Sequence, residues 1–157
     1  MLRFNKGDNT VYFEQINLLA SKVIWLQNNQ DLNVLLLVCL EKQKRNSFCE
    51  DIYHALAQNG KKVSLNYLNA NDQINNLIDW DHDLNILYLD SINTNSHLAQ
   101  IAEFADLALI LPKSSITRRT DITKAVKILK SFNIKIGGTV LTNFKEKVPA
   151  LLKRIFF

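Results

Sequence analysis

The chain has 157 residues, 47% hydrophobic and 22% charged, with only 4 Gly, 2 Pro and 2 Cys. That composition supports one domain with a real core and excludes a disordered tail. It also excludes a conventional nucleotide-phosphate loop, because Gly7, Gly60, Gly137 and Gly138 cannot build G-x-G-x-x-G or G-x-x-x-x-G-K-[ST].

The first eight residues carry no apolar stretch of the kind a secretory signal needs. No apolar run approaches the roughly 18 residues of a membrane span. Cys39 and Cys49 form no C-x-x-C and have no clustered His, which predicts a reduced, cytosolic chain without disulfide or zinc. The net charge of +4 is unevenly spread: residues 113–157 carry +9 and residues 1–112 carry −5.

In chain order, Phe13, Ile16, Leu19, Ala20 and Val23 predict a helix over 12–26. Residues 34–38 are continuously apolar, as in a strand buried on both faces. Phe48, Ile52, Ala55 and Leu56 recur at helical spacing until Asn59-Gly60 stops the helix, and Ser47-x-x-Glu50 fits a capping box at its start. Residues 62–68 form a more polar strand candidate. Residues 69–83 read as an irregular connection with a short helix at 74–78. Strands follow at 84–89 and 107–111, the latter ended by Pro112, with a helix at 96–104 between them. A helix at 120–132, a strand at 135–141 and a basic amphipathic helix at 145–155 complete the chain. This alternation predicts an α/β fold, a mainly parallel sheet with helices on both faces. Residues 1–30 would form an N-terminal segment and helix packed on an α/β domain of 31–157.

Ligands of such sheets sit at the carboxyl ends of the strands. After the first strand, every position from Cys39 to Glu50 carries a side chain, so Lys44 and Arg45 would have to bind phosphate without a glycine cradle. Asp90 ends the third core strand, where a magnesium ligand or phospho-acceptor is often found. Asp79-Trp80-Asp81-His82-Asp83 lacks a second His at ligand spacing and reads as a solvated loop. No Ser/His/Asp or Cys/His constellation is present. The basic C-terminal third reads as a solvated surface, an anionic membrane face, which Leu151-Leu152-Lys153-Arg154-Ile155-Phe156-Phe157 would suit, or a contact for an acidic protein; nucleic acid is a fourth reading, but no basic stripe interleaved with aromatics exists.

The order of segments resembles the bacterial tyrosine kinases of capsule and exopolysaccharide synthesis, within the MinD/ParA-like deviant-Walker P-loop ATPases. Glu14-x-x-Asn17-x-x-Ala20 falls where that family carries an E-x-x-R-x-x-R subunit-contact helix, with the glutamate kept and both arginines absent. Residues 55–63, 101–111 and 117–143 are similar to the family's helix and turn before its second strand, and to its last two strands and intervening helix. The Walker A G-K-S-T falls on Lys44-Arg45-Asn46-Ser47, the second acidic motif on Tyr67-Leu68-Asn69, and the Walker B aspartate on Asp90.

The resemblance thus implies a retained P-loop NTPase-like fold whose lysine, glycines and second acidic motif are lost. It implies a pseudokinase without cofactor or metal, acting through protein contacts in polysaccharide assembly or export. The partner would be a membrane-embedded chain-length or export protein, or a second copy, and the chain would be cytoplasmic at the inner face of the membrane. Glu14, Arg118, Arg119, Lys153 and Arg154 are the interaction candidates. Two other readings stay open. One is a degenerate receiver-like domain with Asp90 and Lys113, in strand order 2-1-3-4-5. The other is an atypical nucleotide-binding protein using Arg45 and Asp90.

Overall fold

A computed structural model describes residues 2–3, 9–42, 46–92, 97–113 and 116–142. The elements are β1 (Leu2–Arg3), α1 (Asn9–Gln30), β2 (Val34–Cys39), α2 (Ser47–Gln58), β3 (Val63–Tyr67), α3 (Ile74–Leu77), β4 (Leu84–Leu89), α4 (Leu98–Phe104), β5 (Leu107–Leu111), α5 (Arg119–Ser131) and β6 (Ile136–Leu141). The expected helix at 145–155 lies outside the described residues.

The strands form one sheet in the order β1-β6-β5-β2-β4-β3, and every pairing is parallel. All six residues of β2 are buried, and they alternate between two cores. Leu35, Leu37 and Cys39 face one cluster with Tyr12, Ile16 and Val23 of α1 and Phe48, Cys49 and Ile52 of α2. Val34, Leu36 and Val38 face the other, with Ile74 of α3, Leu98 and Ile101 of α4, and Ala125 and Leu129 of α5. The apolar runs of β2 and β5 are continuous, and that of β4 is interrupted only by buried Asn85, because both sides of those strands are covered.

The strand order decides between two of the sequence readings. Counting from β2, the third core strand (β4) lies beside the first, giving 2-3-1-4-5. In a receiver, 2-1-3-4-5, the first strand lies between the second and the third, whereas here it lies between the third (β4) and the fourth (β5), so the receiver-like expectation is overturned. The two-residue β1 went unrecognised in the sequence; it pairs Leu2 with Val140 and Arg3 with Leu141 at the outer edge of β6. Two residues are too few to show a hydrophobic period.

At the opposite, amino end of the sheet, two aspartates act alike. Asp106, just before β5, accepts hydrogen bonds from the backbone N–H groups of Asn33 (2.8 Å) and Val34 (2.9 Å) through Oδ2. Asp83, just before β4, accepts from Lys62 N–H at 2.7 Å and donates its own N–H to Lys62 O at 2.8 Å. Each carboxylate ties the start of one strand to the start of its neighbour and fixes their register. The loop 79–83 is exposed at every residue but His82, with Trp80 at 66%, and Asp83 acts as a clamp from that exposed position. Gly60, at φ +78, ends α2 in the left-handed conformation that lets Lys61 N–H reach Leu56 O.

Asp83→Ala and Asp106→Ala should each lower unfolding free energy by about 1–2 kcal/mol, the value of hydrogen bonds to a charged acceptor. Urea denaturation of both variants checks this, and a loss below about 0.3 kcal/mol in each would contradict the clamp role.

Candidate functional site

The carboxyl end of the sheet gathers the turn after β2, the start of α2, the end of β4 and the loop after β5. Val38 of β2 is in register with Leu89 of β4, and Cys39 with Leu111 of β5. Asp90 therefore emerges beside the end of β2. It is half-buried and makes no hydrogen bond or ion pair among the described residues.

The amino end of α2 is built differently from the expectation. Asn46, not Ser47, is the N-cap: it is extended at φ −130 and ψ 119, and its Oδ1 accepts from Phe48 N–H at 2.9 Å. Its carbonyl accepts from Cys49 N–H at 3.0 Å. Ser47 is the first helical residue, so the Ser47-x-x-Glu50 capping box is corrected to an Asn46 cap. Both side chains satisfy the same free helix amides, and sequence alone does not fix which of two adjacent polar residues turns extended. Asn46 is only 5% exposed. Two of the amides that would face an anion at this helix end are thus already bonded within the chain.

A carboxylate closes the turn after β2. The Thr117 hydroxyl donates to Glu41 and itself accepts from Lys113 N–H at 2.7 Å, joining the loop after β5 to the turn after β2. Cys39 Sγ lies 3.9 Å from Glu41 Oε2. The Thr142 N–H and hydroxyl both donate to Pro112 O, at 3.0 and 3.2 Å, fastening the end of β6 to the same loop. Glu50 accepts from the Tyr67 hydroxyl at 3.4 Å and Asp51 from the Tyr12 hydroxyl at 2.5 Å. Four carboxylates, Glu41, Glu50, Asp51 and Asp90, thus belong to the strand ends and the first residues of α2, with Glu50 in its first turn.

Burial dominates the titration of the neighbouring groups. It pushes the Cys39 and Cys49 thiols and the Tyr88 hydroxyl up, so all three stay protonated and uncharged near neutral pH. Burial, followed by the Asp51 hydrogen bond, likewise raises Tyr12. Neither cysteine is a nucleophile here. Among the described residues, no three His, Cys, Asp or Glu side chains are grouped to hold a metal ion.

Of the residues singled out in the sequence, Asn46, Ser47 and Asp90 come together here, while Lys44 and Arg45 lie outside the described residues. Arg118 and Arg119 are exposed at the start of α5, just after Thr117. Glu14 is exposed on α1, on the opposite face of the sheet from α5. Lys153 and Arg154 lie outside the described residues. Sequence reasoning missed the Glu41–Thr117 contact, which joins residues 76 positions apart. Its only trace in the sequence is a lone acidic residue two positions beyond a buried strand.

No protein-family model and no curated protein matches the sequence. Solved structures do. The kinase domain of Escherichia coli tyrosine kinase ETK superposes with a TM-score of 0.73 at 11% identity, covering 87% of this chain and 77% of that one. The chimerical protein CapA2B2 gives 0.67 at 11% identity over 85% of each chain. The VpsO kinase domain gives 0.64 at 12% identity over 89% of this chain and 100% of that one. The chain has the P-loop tyrosine-kinase fold that its segment order implied, carried by a sequence almost wholly different from those kinases.

Proposed function

We propose that this chain is a catalytically inactive relative of the bacterial tyrosine kinases, serving as a protein-interaction or regulatory component of capsule or exopolysaccharide assembly. The observation that carries the reading is the Asn46 cap: the helix end that would hold a nucleotide phosphate uses its Phe48 and Cys49 amides internally. Phosphoryl transfer depends on positioning and on charge stabilisation by metal, lysine and backbone amides. In the turn after β2, Glu41 is held by the Thr117 hydroxyl, so this acidic side chain belongs to the fold rather than to a phosphate site. Residues 39–49 contain no glycine through which a backbone could approach one. Mg-ATP does not fit this arrangement, and Asp90 is the one retained acidic position.

What remains available is surface. Helix α1 exposes Phe13 (53%), Leu18 (51%) and Trp25 (57%), three of the six exposed large hydrophobic side chains among the described residues. Leu18 and Trp25 are seven residues apart and share one face with Lys22 between them, beside exposed Glu14. Exposed aromatic and aliphatic side chains on one helix are the anchors that protein interfaces use. The partner in this reading is a membrane-embedded chain-length or export protein, or a second copy, and the chain works in the cytoplasm under the membrane. Among the described residues, no helix is long and apolar enough to cross a membrane.

Calorimetric titration with Mg-ATP or Mg-ADP should give no binding up to millimolar nucleotide; micromolar affinity would overturn the inactive assignment. Asp90→Ala should retain interaction and function in cells. By contrast, Leu18→Glu combined with Trp25→Glu should abolish self-association in sedimentation velocity, or co-purification with the chain-length protein. Loss of function in Asp90→Ala, with α1 variants behaving as wild type, would point back to nucleotide chemistry.

A further inference from the structure

Helix α5 is amphipathic in an unusual way. Ala125 and Leu129 are buried, with Ile122, Val126 and Ile128 packed against the same core. Its exposed side carries Arg119, Thr120, Thr123, Lys124, Lys127 and Lys130. Thr120, Thr123, Lys124 and Lys127 follow the i, i+3, i+4, i+7 spacing that places them on one face.

None of these four cations pairs with a carboxylate among the described residues. The helix holds one acidic residue, Asp121, and its Oδ2 accepts from Arg118 N–H at 3.0 Å as part of the helix start. Arg119, Thr120, Thr123, Lys124 and Lys127 also line a shallow concavity of about 350 Å³. The row is thus concave, donor-rich and unneutralised.

We infer that this face of α5 docks on the headgroup layer of an anionic phospholipid membrane. Phosphate is the group that ammonium, guanidinium and hydroxyl donors bind in common. From Arg119 to Lys130 the cations extend over roughly 16 Å of helix, too long for one small phosphate and suited to a row of neighbouring headgroups. An acidic protein fits less well, because between Arg119 and Lys130 the row presents no apolar or aromatic side chain to form a dry interface core; exposed Ile116 and Phe132 lie only beyond its ends. Nucleic acid fits less well, since no aromatic is interleaved among the cations for stacking bases. Lysines and arginines held near an anionic leaflet are attracted individually, and the attraction falls within a Debye length. Because α5 and α1 cover opposite faces of the sheet, a membrane under α5 leaves the exposed hydrophobics of α1 free.

The inference rests on the membrane-side location proposed above and names the surface responsible. Its test is co-sedimentation of the full chain with vesicles of phosphatidylglycerol and phosphatidylcholine, against pure phosphatidylcholine, at low and high salt. The expected result is binding only to the anionic vesicles, lost at 0.5 M salt where the Debye length is only about 4 Å. Lys124→Glu with Lys127→Glu should weaken it at least tenfold. Lys61→Glu with Lys135→Glu, an equal charge change elsewhere, should weaken it far less. Equal binding to both vesicle types, or equal loss in the two double variants, would overturn the inference. So would inorganic phosphate shifting the α5 amide resonances without any vesicle binding, which would identify a soluble anion instead. Nucleotide titration reads the opposite question, so a chain that binds Mg-ATP and anionic vesicles would refute the inactive assignment while keeping this one.

Discussion

The complete burial of β2 is the constraint on which the rest of the molecule depends. A strand with no solvent face must have a strand on each side and a layer of helices above and below. β4 and β5 supply the first, and α1 with α2, and α3 with α4 and α5, supply the second. Once β2 is central, the turn that follows it lies at the middle of the carboxyl edge, flanked by Asp90 and the loop after β5. Every feature of the candidate site is placed by that one requirement. The aspartate clamps at the amino edge hold the same strands in register from the other side, so the two edges have separate tasks. One fixes geometry, and the other is where relatives of this fold carry out chemistry.

In this chain the second edge is occupied by its own side chains. The Asn46 cap occupies amides of its own helix start, while the Glu41–Thr117 contact and the Thr142–Pro112 bonds join separate segments at this edge. Each contact satisfies a polar group that would otherwise be left open at a helix or strand end. A site that closes on itself in this way gains order where a ligand-binding site must tolerate unpaired donors. Similarity in fold to kinase domains at 11–12% identity is compatible with such a change, because the core needs only apolar volume in the right period.

In the function proposed here, the outside of the layers carries the contacts. α1 and α5 lie on opposite faces and differ in character: one exposes Phe13, Leu18 and Trp25, the other a row of cations. The basic part of the sequence after residue 112 is represented on the α5 face, whereas α1 balances Glu14 against Lys22. A protein that contacts an apolar partner through one helix and an anionic surface through another could hold the two together without any chemistry of its own.

How much of this was legible beforehand depends on the range of the interaction involved. The apolar runs at 34–38, 84–89 (interrupted at Asn85) and 107–111 and the helical periods between them marked the α/β layering directly, because burial imposes its period on neighbouring residues. The shortage of glycine likewise identified the turn after β2 as unlike a phosphate loop, since backbone approach is a local property of the residue. The two-residue β1 had no period to show. The choice of Asn46 over Ser47 as cap turned on one backbone torsion, and the bond between Glu41 and Thr117 joined positions 76 apart. The sequence by itself determined the layers and the missing cradle, which follow from hydrophobicity and side-chain size. Only the tertiary structure decided strand order, the clamps and the closure of the site, because those depend on which distant backbone and carboxylate groups are brought within hydrogen-bonding reach.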